Sequence, residues 1–138
     1  MKLIPLKKND LPFLLEIRNH ESTRKNLEND SKFTLKQCTE WYNSTNPLWF
    51  IIYNSYDDKV GYFRTNKSDV GCDIHPKFRR KGYARRAFET YLKDKKYATL
   101  WVFEDNFAKN LYVSLGFIES GKIKTVRSKK YIHMEYSK

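Results

Sequence analysis

The densest chemistry in the sequence lies between Phe78 and Phe88, FRRKGYARRAF, where five cations surround a single glycine. Arg79, Arg80 and Lys81 precede Gly82, and Ala84, Ala87, Phe88, Tyr91 and Leu92 follow at helical spacing. A helix starting near Lys81 presents amide groups without intrahelical acceptors and the positive end of its dipole, which together suit a phosphate. Gly82 lets a ligand approach the backbone and lets the turn adopt dihedrals that other residues resist, and the small Ala84 keeps the next turn uncrowded. The side-chain cations would strengthen pyrophosphate binding at that spot. A second reading is a nucleic-acid patch, because the formal net charge is +11 and Tyr and Phe are interleaved among Lys and Arg. Against it, the aromatics sit largely at apolar strand and helix positions, and no nucleic-acid-binding signature occurs.

One strand further on comes a second group, Asn106-Phe107-Ala108-Lys109-Asn110-Leu111-Tyr112-Val113-Ser114-Leu115-Gly116-Phe117. Read on its own, Tyr112 packs beside Leu111 and Leu115 on an apolar helical face. Candidate bases are scattered. Asp73 and His75 project from one face of the strand that leads into the glycine turn, where either can relay a proton through water. Glu104 and Asp105 lie closer to Asn106, yet both also read as ordinary caps of the next helix. Upstream, Arg18 and Asn19 end a helix, where Arg18 either pairs with a phosphate or is a solvated cation favoured by the dipole. A match to the phosphate loop of NTPases, Gly116-x-x-x-x-Gly121-Lys122, is a coincidence: Ile123 replaces the hydroxyl residue, and the segment runs from helix to strand.

Arg79-x-x-Gly82-x-Ala84 resembles the Q/R-x-x-G-x-G/A signature of GNAT-type N-acetyltransferases, and Asn106 to Phe117 is similar to their N-x-x-A-x-x-L-Y-x-x-x-G-F block. The resemblance implies acetyl-CoA as co-substrate, with Ile74, Arg79, Arg80, Lys81, Gly82, Tyr83, Ala84, Asn106 and Lys109 contacting it. It implies Tyr112 as the acid toward the departing thiolate. Some relatives carry a base at the position of Trp101, so that base is missing here; Asp73 is the leading substitute, and loss of the amine's proton to solvent is the other route. Glu16-Ile17-Arg18-Asn19-His20 is similar to the opening of relatives that acetylate nucleotide-linked amino sugars or ribosomal-protein N-termini, which makes Arg18 and Asn19 the acceptor-binding candidates. The implied reaction is direct attack of a primary amine on the thioester in a ternary complex. The acceptor expected first is a nucleotide-linked amino sugar; protein N-termini and polyamines are the alternatives, and a catalytically inert CoA binder is a third reading.

These groups need a scaffold. The chain has 138 residues, 40% hydrophobic and 16% aromatic, enough for a sizeable core in one domain spanning residues 1–138. Lys2 to Leu6 reads as a strand, Asn9 or Asp10 as the cap of a helix ending near Asn19, and Thr34 as the cap of a second helix through about Asn43. Leu48–Tyr53 and Val60–Phe63 read as a hairpin, and Val70, Cys72 and Ile74 alternate as a strand stopped by Pro76. Tyr97–Phe103 is a strand, Ala108–Leu115 a helix that Gly116 terminates, and Phe117–Ile123 and Tyr131–Tyr136 are strands. The order βααβββαβαββ predicts a mixed α+β fold of about six to seven mostly antiparallel strands and about four helices. The family resemblance adds a V-shaped cleft where two central strands splay.

Cys38 and Cys72 stand far apart and read as buried thiols, and the three histidines show no metal-ligand spacing, so no metal is expected. No apolar run is long enough to span a membrane, and Met1 to Leu6 does not read as a secretory signal, so a cytoplasmic location is expected. The chain is expected to be a monomer or a homodimer, the latter through an exposed final strand.

Overall fold

In a computed structural model describing residues 1–138, seven strands form one sheet in the order β1-β2-β3-β4-β5-β7-β6. The strands are β1 (Lys2–Pro5), β2 (Phe50–Tyr53), β3 (Lys59–Asn66), β4 (Asp69–Ile74), β5 (Tyr97–Phe103), β6 (Ile118–Val126) and β7 (Lys129–Ser137). Five helices flank them: α1 (Leu11–Arg18), α2 (Glu21–Arg24), α3 (Leu35–Thr45), α4 (Tyr83–Leu92) and α5 (Ala108–Leu115). All neighbouring strands are antiparallel except β4 and β5. That parallel pair touches through a single register pair, Asp69 with Thr99, held by the Thr99 amide on the Ser68 carbonyl (2.8 Å) and the Thr99 hydroxyl on Asp69 (2.6 Å). Beyond it the two strands diverge, so the sheet opens into the V expected from the resemblance.

Residues of alternating parity on these strands feed two cores. On one face Phe63, Ile74, Leu100, Ile132 and Met134 pack under Ala87, Phe88 and Leu92 of α4 and Phe117. Phe88 is fully buried among Phe63, Tyr112 and Phe117, an arrangement that contributes about 1.5–3 kcal/mol from transfer alone. On the other face Ile51 and Tyr62 meet Leu11, Leu14, Leu15 and Ile17 of α1 and Cys38 of α3. The helix pattern read from the sequence holds because each apolar stripe lands on one sheet face.

Four details differ from the sequence expectation. The polar stretch after His20 contains the short helix α2, because the His20 ring accepts from the Ser22 amide (3.2 Å) and caps it. Asp10 does not cap α1 with its side chain; it accepts from the Lys7 amide (2.9 Å) and pairs with Lys59 (2.7 Å), which satisfies a buried carboxylate. The last strand is not an edge: β7 lies between β5 and β6, with Tyr131, Ile132, His133 and Met134 buried, and β6 is the edge instead. A hairpin through Arg127 and Ser128, both at positive φ, folds β7 back inside, so dimer pairing through it is excluded by its own hydrogen-bonded neighbours. Cys38 is buried as expected, but Cys72 is only partly so.

Candidate functional site

The loop from β4 to α4 is built almost entirely by backbone geometry. His75 accepts from the Lys77 amide (3.1 Å) and starts a single 3₁₀ turn, Pro76–Phe78. Arg80 (φ 62°) and Gly82 (φ 78°) are both left-handed, so the chain reverses before α4 begins at Tyr83. Arg86 donates the first amide of the helix ladder, to the Gly82 carbonyl (3.2 Å), whereas the amides from Arg80 to Arg85 have no acceptor within the protein. A Cβ placed on Gly82 would meet no atom within 4 Å, so the turn faces open space. These amides, the helix dipole and nearby cations together make a seat with the chemistry that an anion needs.

The seat opens into a cavity of about 750 Å³ running along the β4–β5 split. Of the expected cofactor contacts, Ile74, Arg79, Arg80, Gly82, Tyr83, Ala84 and Asn106 line it, whereas Lys81 and Lys109 do not. Lys109 pairs with Glu119 on β6 (3.1 Å). Asn106 caps α5 by accepting from the Ala108 amide (2.9 Å), so the residue both starts that helix and borders the cavity. Arg79 points away from the seat. Its guanidinium donates to the Ile74 carbonyl (3.0 Å), to the Ser22 hydroxyl and to the Thr23 hydroxyl (2.9 Å), strapping α2 onto the cofactor loop.

A second cavity of about 310 Å³ lies on the far side of the split. Arg64, Trp101, Tyr112 and Tyr131 line both cavities and so form the wall between them. Tyr112 is seated by its ring against Phe88 (5.3 Å between centroids) and Phe117 (6.0 Å) on an apolar helix face. Burial, then neighbouring Cys72, pushes its phenol well above the ordinary range, with Arg64 pulling the other way, so it holds its proton at neutral pH. Tyr131 is pushed up to about 12, mainly by burial. Burial likewise raises the Cys72 thiol far up, which leaves it a poor nucleophile.

Asp73 and His75, read together as candidate relays, are placed apart in the structure. Asp73 lines the larger cavity, and its Oδ2 stands 3.2 Å from Nε of Arg64 as an ion pair beside the buried hydroxyl of Tyr62, with none of these three atoms in an aligned hydrogen bond. His75 faces Glu16 of α1 (2.8 Å) and Phe13, and lines neither cavity. Asp105 borders the larger cavity but pairs with Lys129 (3.0 Å). Arg18 lines the smaller cavity, yet its two terminal nitrogens donate to the carbonyls of Ser31 (3.1 Å) and Asn29 (2.7 Å) and its plane covers Phe33. Asn19 grips the Phe33 backbone at both its amide and its carbonyl (2.9 and 2.7 Å). Both residues clip the 20–33 segment to α1.

Sequence reasoning passed over Arg64, Asp69, Trp49 and Tyr131, which line the second cavity. Arg64 carried a signal: a cation directly following the apolar run of β3. Its counterpart is Gly71, its register partner on β4, where a Cβ would stand 2.3 Å from an Arg64 nitrogen. The glycine is there because the guanidinium lies across it.

A split α/β sheet with an amide-lined strand–turn–helix loop on one side and a second cavity across the split gives two compartments that meet at the wall formed by Arg64, Trp101, Tyr112 and Tyr131. Residues 17–138 match the sequence profile of the acetyltransferase (GNAT) domain, and the chain belongs to that family of acyltransferases, which move acetyl from acetyl-CoA to an amine. The fold is similar to that of spermidine N-acetyltransferase from Vibrio cholerae, solved with CoA and spermine, at TM-score 0.87 and 19% identity, covering 99% of this chain and 94% of that one. It is also similar to ribosomal-protein-alanine N-acetyltransferase from Brucella melitensis, at TM-score 0.74 and 19% identity over 100% of both chains. No curated protein matches in sequence.

Proposed function

We propose that the chain transfers the acetyl group of acetyl-CoA to a primary amine by direct attack, with both substrates bound across the β4–β5 split. The observation that carries this reading is the run of unpartnered amides from Arg80 to Arg85, opening on the cavity that Tyr112 also lines. Those amides and the bare Gly82 fit a pyrophosphate, with Arg80 and Arg85 adding positive charge at its edge. The bound cofactor supplies an activated acyl group as a thioester. Tyr112 keeps its proton at neutral pH and delivers it to the departing sulfur. Asp73 serves in this scheme to hold Arg64; the proton that the amine loses on attack goes to solvent, and solvent returns one to the Tyr112 phenolate.

The amine enters from the smaller cavity, whose wall it shares with Tyr112. A nucleotide-linked amino sugar, the acceptor first expected, depends on Arg18 for its phosphate, and that guanidinium is engaged with loop carbonyls. Polyamines and peptide N-termini, named for the two structural relatives, are the acceptors of comparable standing. Calorimetric titration is expected to give acetyl-CoA binding at micromolar order, and thiol release is expected with at least one amine class. An absence of acetyl-CoA binding at low salt, together with salt-sensitive oligonucleotide binding, would replace this reading by a nucleic-acid module.

A further inference from the structure

Arg64 is the one cation common to both cavities, and the seat for the cofactor's phosphates does not use it. Asp73 Oδ2 stands 3.2 Å from its Nε as an ion pair without hydrogen-bond alignment, and neither terminal nitrogen donates to an acceptor in the protein. The side chain is about a third exposed, against 13% for Asp73, so the guanidinium is anchored at one edge and open at the other. Gly71 makes this pose possible by offering no side chain beneath it. By contrast, Arg18 in the smaller cavity and Arg79 in the larger have their donors engaged by carbonyls and hydroxyls. A guanidinium held through Nε presents two parallel N–H groups from its other edge, a geometry that matches a carboxylate.

We propose, resting on the transferase reading above, that Arg64 binds a carboxylate of the acceptor, which is therefore a small amine carrying that carboxylate within two or three bonds of its nitrogen, as in an α- or β-amino acid. The position of Arg64 in the wall beside Tyr112 places a carboxylate so bound next to the reacting centre, and only a short spacer lets the nitrogen reach it. The cavity of about 310 Å³ suits a molecule of that size. Glu28 and Asp69 on its other walls favour the ammonium form on arrival, while Trp49 and Trp101 cover the apolar remainder. A polyamine in the same place sets a positive charge against the free edge of Arg64.

The test measures thiol release from acetyl-CoA with glycine, alanine, methionine and glutamate, each beside its carboxamide, and with spermidine. Wild type is expected to prefer the carboxylates by about tenfold to 100-fold in kcat/KM, the range for a charge-assisted hydrogen-bonded pair. In Arg64→Gln that ratio falls to near one, and Arg64→Lys recovers part of it because charge returns without the fork. The ratio is internal to each protein, so a general loss of activity does not imitate it. Equal use of the carboxamides, faster use of spermidine, or an unchanged ratio in Arg64→Gln overturns the inference. Should no amine turn over, propionate and propionamide are titrated against the CoA-bound protein through Trp49 and Trp101 fluorescence. Saturable propionate binding lost in Arg64→Gln upholds the inference, and no difference between the two ligands overturns it. Failure to bind acetyl-CoA overturns the transferase reading itself and is seen separately by calorimetry.

Discussion

On the function proposed above, the cofactor and acceptor sides of the β4–β5 split are built to recognise their ligands by different means. The cofactor side is a backbone device: left-handed Arg80 and Gly82 and the start of α4 aim amides at one point, and the side chain of the motif's first residue, Arg79, turns away to hold α2. The acceptor side is a side-chain device, in which Arg64, Asp69, Glu28, Trp49 and Tyr131 arrive from distant parts of the chain. A backbone device tolerates changes of side chain but not of φ or Cβ. A side-chain device responds to the loss of single functional groups and can change its ligand without changing the fold.

Substitutions at the shared wall and on either side of it put this contrast to the test. The largest effect is expected from Tyr112→Phe, at the shared wall: kcat drops by at least about 100-fold while acetyl-CoA affinity stays within a few-fold, by steady-state kinetics and calorimetry. Comparable rates in the variant would remove the phenol from the mechanism. Gly82→Val comes next, with acetyl-CoA binding weakened on the order of 100-fold, since two charge-assisted amide contacts are displaced and a branched residue resists positive φ. Because no protein atom lies near that Cβ, its melting temperature should fall only by what left-handed strain of about 1–2 kcal/mol implies.

Alkaline unfolding probes the shared wall. Tyr131 has a folded pKa raised from 10.0 to about 12, so its burial contributes fully below pH 10 and is lost as pH rises from 10 to 12. The upper limit is roughly 2.7 kcal/mol, and Tyr131→Phe should flatten that part of a stability-versus-pH curve. Asp73→Asn leaves Arg64 unanchored, with a stability loss of about 1–2 kcal/mol by urea melts, less than for a fully buried pair because Arg64 is a third exposed. Gly71→Ala is expected to cost a comparable amount, about 1–2 kcal/mol, since its methyl group pushes the guanidinium off the partly buried Asp73 carboxylate. Its acceptor KM should also rise with cofactor KM unchanged, because the methyl group displaces Arg64. Equal shifts in both would deny the division between the two sides.

The cofactor side was legible because it is local. Strand, Pro76, Gly82 and the Ala87–Phe88–Tyr91–Leu92 stripe lie within one short segment, and the physics of a helix start needs nothing from elsewhere. The second block, Asn106 to Phe117, was legible for the same reason, since the Asn106 cap and the left-handed Gly116 bound α5 from within. The acceptor side was not. Arg18 and Asn19 looked available at a helix end, but their partners at Asn29, Ser31 and Phe33 come from a segment without a periodic pattern. Asp73 read as a candidate relay, and only the pairing of β3 with β4 brings Arg64 beside it. The final strand looked exposed because strand order within a sheet is set by hairpin return and packing, not by position in the chain.

By itself, then, the sequence determined the strands and every helix but the short α2, the position of the amide-lined turn around Gly82 and which phenol sits near it, because hydrophobic period, glycine and helix-end chemistry act over a few residues. The tertiary structure alone decided which charges remain free. Pairing of β3 with β4 laid Arg64 over Gly71 and against Asp73, and the single contact between β4 and β5 opened the space that its unpaired edge faces. Whether a cation is a clip or a ligand anchor depends on what lies within about 3 Å of each nitrogen, a distance that only folding sets.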